Sequence, residues 1–235
     1  MSVPTHSALA TDAAALVSPD LAVPAGIQIR ETSGADHAPL RLGIMASGSG
    51  SNFEAIAAAI ARGDLNATIE VVIYNNPGAK VVARAQRLDI PAQLLDHRTF
   101  ESRESLDQAI VEALQAADVD WVIMAGWMRR VTQRLISAFP QRILNIHPSL
   151  LPSFPGIRAV EQALSAGVKI AGCSVHYVEL VVDSGPIIMQ AAVPVLPDDS
   201  VETLQARIQV QEHGIFPQAI ALAARQALSG SSEVT

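Results

Sequence analysis

From residue 41 onward, short runs of consecutive apolar residues alternate with longer stretches whose apolar side chains recur every three or four positions. Runs of the first kind predict strands, and stretches of the second kind predict helices. "RLGIMA" reads as a strand, and "NFEAIAAAIARG" as a helix closed by Gly63. β-Branched residues make "ATIEVVIYN" a strand, and the turn residues of "NNPG" end it. A helix in "AKVVARAQRLD" and a short strand in "PAQLLD" follow, then a helix in "SRESLDQAIVEALQAAD" with a serine at its expected start. The alternation continues with a strand in "WVIMAG", a helix in "TQRLISAF" and a strand in "RILNIH". Beyond a Pro-rich loop come a helix in "RAVEQALSAG" and strands in "IAGCSVHYV" and "PIIMQAAVPV". A long last helix runs from about Ser200 to Leu228.

This order implies a single Rossmann-like α/β domain with a mostly parallel central sheet, helices on both faces and a long C-terminal helix. Crossovers in such sheets are right-handed. Their sites lie beyond the carboxyl ends of the strands. Residues 1–40 break the pattern, being rich in Ala, Pro, Ser and Thr with no sustained periodicity. We read 1–40 as a poorly ordered N-terminal extension, 41–228 as the domain and 229–235 as a flexible tail.

Two features stand at expected strand ends. In "ASGSGSNFEAI", a strand, a Gly/Ser turn and a helix gather free backbone N–H groups and the positive end of the helix dipole. The stretch lacks the Gly-Lys-Ser/Thr of a Walker loop, and Phe53 stands where a dinucleotide fingerprint needs its third glycine. Ser51 and Asn52 suit one phosphate monoester, while the plainer reading is a tight turn capped by either residue. The second feature is "ILNIHPSLLPSFPG", where period-2 spacing puts Asn145 and His147 on one side of an extended chain. An amide can stabilise a developing oxyanion while an imidazole moves a proton. Asp183, in the turn "VVDSGPII", is the carboxylate available to orient that histidine.

Composition narrows the alternatives. A net charge of −7, with only Lys80 and Lys169 beside fourteen arginines and no basic run, argues against nucleic acid and membrane partners. The lone Cys173 excludes an internal disulfide framework and a cysteine zinc site, and its apolar surroundings suit a buried strand residue. No second histidine stands at ligand spacing, so no metal is expected. Ser149 and Ser174 lie in no G-x-S-x-G elbow. No apolar run is long enough to span a membrane, and the first arginine comes only at Arg30, unlike a signal or transit peptide. The expectation is a cytoplasmic protein, monomeric or homodimeric.

Together, "SGSGSN", "NIHPSLLPSFPG", "VDSGPII" and "RIQVQEHGIFP" resemble, in order and spacing over about residues 41–224, the phosphoribosylglycinamide formyltransferase family. The resemblance implies transfer of a formyl group from 10-formyltetrahydrofolate, a co-substrate, to the amine of glycinamide ribonucleotide (GAR) in purine synthesis, without a metal. It implies GAR contacts at Gly50, Ser51, Asn52, Gln209 and Glu212. Folate contacts are implied at Arg103, Met128, Arg129, Arg130, Val131, Asn145, Glu179, Leu180, Val181, Val182 and Asp183, with Asn145, His147 and Asp183 catalytic. From the residues alone, Gln209 and Glu212 share one helix face that could equally be solvated. The chain departs from the family pattern at Arg158, where many relatives have histidine after Pro-Gly-x, and in the apolar loop "ELVVD".

Rival readings are a formyltetrahydrofolate hydrolase and a non-catalytic folate or phosphoribosyl sensor. The hydrolase family generally reads "NIHHS" behind a regulatory domain, whereas Pro148 follows His147 here and the first forty residues are too poor in pattern to form such a domain. A methionyl-tRNA formyltransferase would need a C-terminal RNA-binding domain. A sensor would need no Asn/His/Asp trio.

Overall fold

Alternating burial along the strands builds a sheet with two cores. In β2 (Leu40–Ala46), Leu42, Ile44 and Ala46 face one core while Met45 faces the other. In β5 (Trp121–Met124), Trp121 and Ile123 divide from Val122 and Met124 in the same way. The period of two does this, since successive side chains leave opposite faces. The coordinates, a computed structural model, describe residues 16–18 and 38–230.

Chain order adds α1 (Ser51–Arg62), β3 (Ala67–Tyr74), α2 (Val81–Arg87), β4 (Ala92–Leu94), α3 (Arg103–Ala116), α4 (Gln133–Ala138) and β6 (Ile143–His147). After these come α5 (Ala159–Ser165), β7 (Ile170–Tyr177), β8 (Ile187–Pro194) and α6 (Val201–Gly230). With β1 (Leu16–Ser18), the eight strands run β1-β8-β7-β6-β5-β2-β3-β4. Pairing is parallel from β4 through β3, β2 and β5 to β6, and antiparallel from β6 through β7 and β8 to β1. The expected mostly parallel sheet is thus present, with α1, α2, α5 and α6 over one core and α3 and α4 over the other.

The chain steps outward from β2 to β3 and β4, then returns to lay β5 on the other side of β2. That reversal leaves a crevice beyond the carboxyl ends of β2 and β5, the usual ligand position in such sheets. α6 buries Leu204, Ile208, Ile215, Phe216, Ala219, Ile220 and Ala223 at helical spacing, against α1, β7 and β8. Pro217 lies inside it.

Two stretches depart from the reading of residues 1–40: Leu16–Ser18 pair with β8, Ser18 opposite Gln190, and Leu40 opens β2. A three-residue segment has no alternation to read, and its ladder bonds come from a distant partner. Residues 1–15 and 19–37 of the N-terminal extension and residues 231–235 of the expected tail lie outside the described residues, while 229–230 continue α6. Among the described residues no helix is long and apolar enough to cross a membrane.

Candidate active site

β2 ends at Ala46, and the next residue ties the crevice together. Ser47 N–H donates to Gly126 O (3.0 Å), its carbonyl accepts from Asn76 Nδ2 (2.8 Å), and its Oγ accepts from Met128 N–H (2.9 Å). The loop after β2 is thereby fixed to the loop after β5. Gly50 then turns the chain into α1 with φ +75, and a Cβ there would stand 2.6 Å from the Val81 side chain. Only glycine meets both conditions. No side chain caps α1, so its first N–H groups keep no capping partner.

Two side chains of α6 reach the same helix start. Gln209 Nε2 donates to Ser51 Oγ (2.9 Å), and Asn52 Nδ2 donates to Glu212 Oε2 (2.9 Å). Glu212 is only 8% exposed, and burial pushes its carboxyl above the usual carboxylate range despite the Asn52 bond. The spacing that put Gln209 and Glu212 on one helix face thus turns that face inward.

A polar cluster forms where β6 ends beside β7. Asn145 and His147 leave the same face of β6, opposite His176 and Ser174 of β7. His147 Nε2 lies 2.9 Å from Phe154 O, and its Nδ1 lies 3.4 Å from Asp183 Oδ2. Asp183 stands at φ +54 in the turn between β7 and β8, where it also accepts the Gly156 N–H (2.7 Å). Burial works to raise the Asp183 carboxyl; His176, the Gly156 N–H and His147 outweigh it and hold it below the usual range. Asp183 is therefore a carboxylate at neutral pH. Both His147 nitrogens face oxygens that only accept.

His176 is the member that sequence reasoning missed. Its Nδ1 lies 2.7 Å from Tyr177 O, which requires an N–H there. Its Nε2 lies 3.1 Å from Asn145 Nδ2 and 3.6 Å from Asp183 Oδ1, so the amide is the nearer partner. The available signal was "SVH", a second polar pair at period two in an apolar strand.

Residues 148–156 are anchored from below. Buried Ser174 Oγ donates to Ser149 O (2.7 Å) and accepts Leu151 N–H (3.0 Å) and Gln190 Nε2 (2.8 Å). This holds the loop whose Phe154 carbonyl meets His147.

The start of α1 and the polar cluster at the end of β6 line one cavity of about 950 Å³. Gly50, Ser51, Asn52, Gln209 and Glu212 form one wall, and Met128, Arg129, Arg130 and Val131 another. Asn145, His147 and Asp183 lie in it, as do Glu179, Leu180 and Val182. Arg103 and Val181 line instead an adjoining cavity of about 690 Å³, which shares Arg130, Val131, Gly156, Leu180 and Val182 with the first. Cys173 is buried under the sheet, and its thiol is pushed far up by burial. Among the described residues no group of three His, Cys, Asp or Glu side chains could hold a metal ion.

Residues 40–220 match the formyl transferase family. The chain is 42% identical over 180 residues to phosphoribosylglycinamide formyltransferase of Bacillus subtilis (strain 168), covering 77% of this chain and 92% of that one. It is 41% identical over 184 residues to the trifunctional purine biosynthetic protein adenosine-3 of Homo sapiens, covering 78% of this chain and 18% of that protein. Among solved structures, glycinamide ribonucleotide transformylase 1 from Symbiobacterium toebii superimposes with TM-score 0.79 at 49% identity, over 80% of this chain and 89% of that one.

Proposed function

This chain belongs to the formyl transferase family, among its phosphoribosylglycinamide formyltransferases, and on that premise we propose that it formylates the amine of GAR from 10-formyltetrahydrofolate. The observation that carries the reading is one cavity with an uncapped helix start on one wall and an Asn/His/Asp cluster beside it. The first suits a phosphate and the second suits acyl chemistry. The reading takes the protein as a cytoplasmic enzyme of purine synthesis acting on two small molecules.

Gly50, Ser51 and Asn52 bind the GAR phosphate through backbone N–H groups and two side chains. Gln209 and Glu212 contact its ribose and glycinamide portion. Met128, Arg129, Val131 and Glu179–Asp183 hold the pterin, whose donor–acceptor edge suits backbone groups between apolar side chains. Arg103 and Arg130, which line the adjoining cavity, take the anionic end of the folate.

Formylfolate brings an electrophilic formyl carbon, and the neutral GAR amine attacks it. Negative charge grows on the formyl oxygen as the carbon becomes tetrahedral. Asn145 donates an N–H to that oxygen, with His176 and Tyr177 O orienting the amide. His147 supplies a proton, and the Asp183 carboxylate, 3.4 Å from its Nδ1, orients the ring. Asp183 also helps order a water that relays protons to the departing folate nitrogen. Holding both reactants in one cavity supplies the entropic part of the acceleration.

The test is the absorbance change on loss of formylfolate, followed with and without GAR. Turnover that requires GAR is expected. Equal loss without it would replace this reading with the hydrolase, and no loss under either condition would favour the sensor.

A further inference from the structure

The loop Met128–Val131 is held near both ends by buried acceptors. Ser47 Oγ takes the Met128 N–H, and Asp107 Oδ2 takes the N–H of Thr132, the residue that follows the loop. Ser47 lines the main cavity, so a ligand could meet it directly. Asp107 lines neither cavity and is 1% exposed, so it acts on a ligand only through what it holds.

What it holds is specific. Asp107 lies one helical turn after Arg103 on α3, while Thr132 follows two residues after Arg130. Arg103 and Arg130 both line the adjoining cavity, one from the helix and one from the loop. A neutral side chain would pack more cheaply among Leu106, Ile110 and Val111, because burial works against the carboxylate. Among the described residues the hydrogen bond the carboxyl makes is to the Thr132 N–H, so its presence serves the junction between helix and loop.

We propose that Asp107 is a positioning residue that sets the spacing of Arg103 and Arg130, and with it the fit of the adjoining cavity to the carboxylates of the folate substrate. The inference rests on the reading of 10-formyltetrahydrofolate as the donor. Two guanidinium groups presented from neighbouring backbone segments recognise carboxylates by geometry as well as charge, so a shift of one segment weakens the pair.

The experiment compares wild type, Asp107→Ala and Asp107→Asn with two donors, formylfolate bearing its glutamate and the formylpteroate analogue without it. In Asp107→Ala the KM for the glutamate-bearing donor is expected to rise at least tenfold. For the analogue it should change less than threefold, and the KM for GAR less than twofold. Asp107→Asn keeps an oxygen for the Thr132 N–H and should bring the folate KM back to within threefold of wild type. If Asp107→Ala does not fold, Asp107→Ser, which leaves room for a water at the lost acceptor, carries the same expectation. Equal changes with both donors, or a lower melting temperature with every KM unchanged, would overturn the proposal. Calorimetric titration separates the two readings: a wild type that binds no folate overturns both, whereas normal binding by wild type and Asp107→Ala alike overturns only this one.

Discussion

Replacing Glu212 by glutamine should make the protein more stable and the enzyme worse, for separate reasons. Glu212 is buried, its carboxyl is raised by that burial, and its one hydrogen bond comes from Asn52. A carboxyl raised on folding binds its proton more tightly in the native state than in the unfolded chain. Its contribution is therefore fully present below the unfolded pKa and is lost as pH rises through the folded one. The loss has a ceiling, because the native state can always keep the carboxyl neutral. An unfolded glutamic acid titrates near ~4.3, so retaining the proton at pH 7 costs at most about 4 kcal/mol. Glutamine keeps an oxygen for Asn52 Nδ2 and has no proton to lose. We expect a gain of roughly 1–3 kcal/mol at pH 7, at about 2–4 °C of melting temperature per kcal/mol for a domain this size. Calorimetry from pH 4 to pH 8 should show the difference between variant and wild type growing with pH and vanishing near pH 4. A constant difference, or a variant less stable at pH 8, would refute the account of Glu212 as a buried liability. The same variant replaces a carboxyl that lines the cavity beside Asn52, so the KM for GAR should rise about tenfold, or ~1.4 kcal/mol.

Ser51→Ala and Asn52→Ala should each cost ~1.5–3 kcal/mol of GAR binding while leaving the folate KM nearly unchanged; equal effects in steady-state kinetics would reduce the loop to a structural turn. Asn145→Ala should lower kcat by roughly 10²–10³-fold with folate affinity kept in a binding titration, as expected of an oxyanion donor. Asp183, whose carboxyl is lowered on folding, contributes stability that is present above its unfolded pKa and lost as pH falls through the folded value. Asp183→Asn should therefore flatten the acid side of the stability profile and lower kcat, and an unchanged profile would separate Asp183 from the two histidines.

The parts of the fold carried by local pattern were legible in the sequence. β6 announced Asn145 and His147 on one face because alternation is a property of five consecutive residues. Asp183 was named from a turn, and the antiparallel return of β7 brings it to His147. His176 escaped because its meaning depends on which residue of β6 it opposes, a register that no single strand contains. The Asn52–Glu212 bond joins positions 160 residues apart and needed the packing of α6 on α1. The pairing of Leu16–Ser18 likewise depends on where β8 ends up.

Pro217 gives α6 a mechanical character of its own. Proline has no N–H, so the His213 carbonyl receives no ladder bond from residue 217, one residue beyond Glu212. A helix that lacks one ladder bond is easier to bend at that step than elsewhere. Both halves of α6 are seated in the core, the first by Leu204, Ile208, Ile215 and Phe216 and the second by Ala219, Ile220 and Ala223, and the first also carries Gln209 and Glu212 into the cavity. The missing bond therefore lies between two anchored segments, and the weakest step of the helix stands next to the residues that face the cavity.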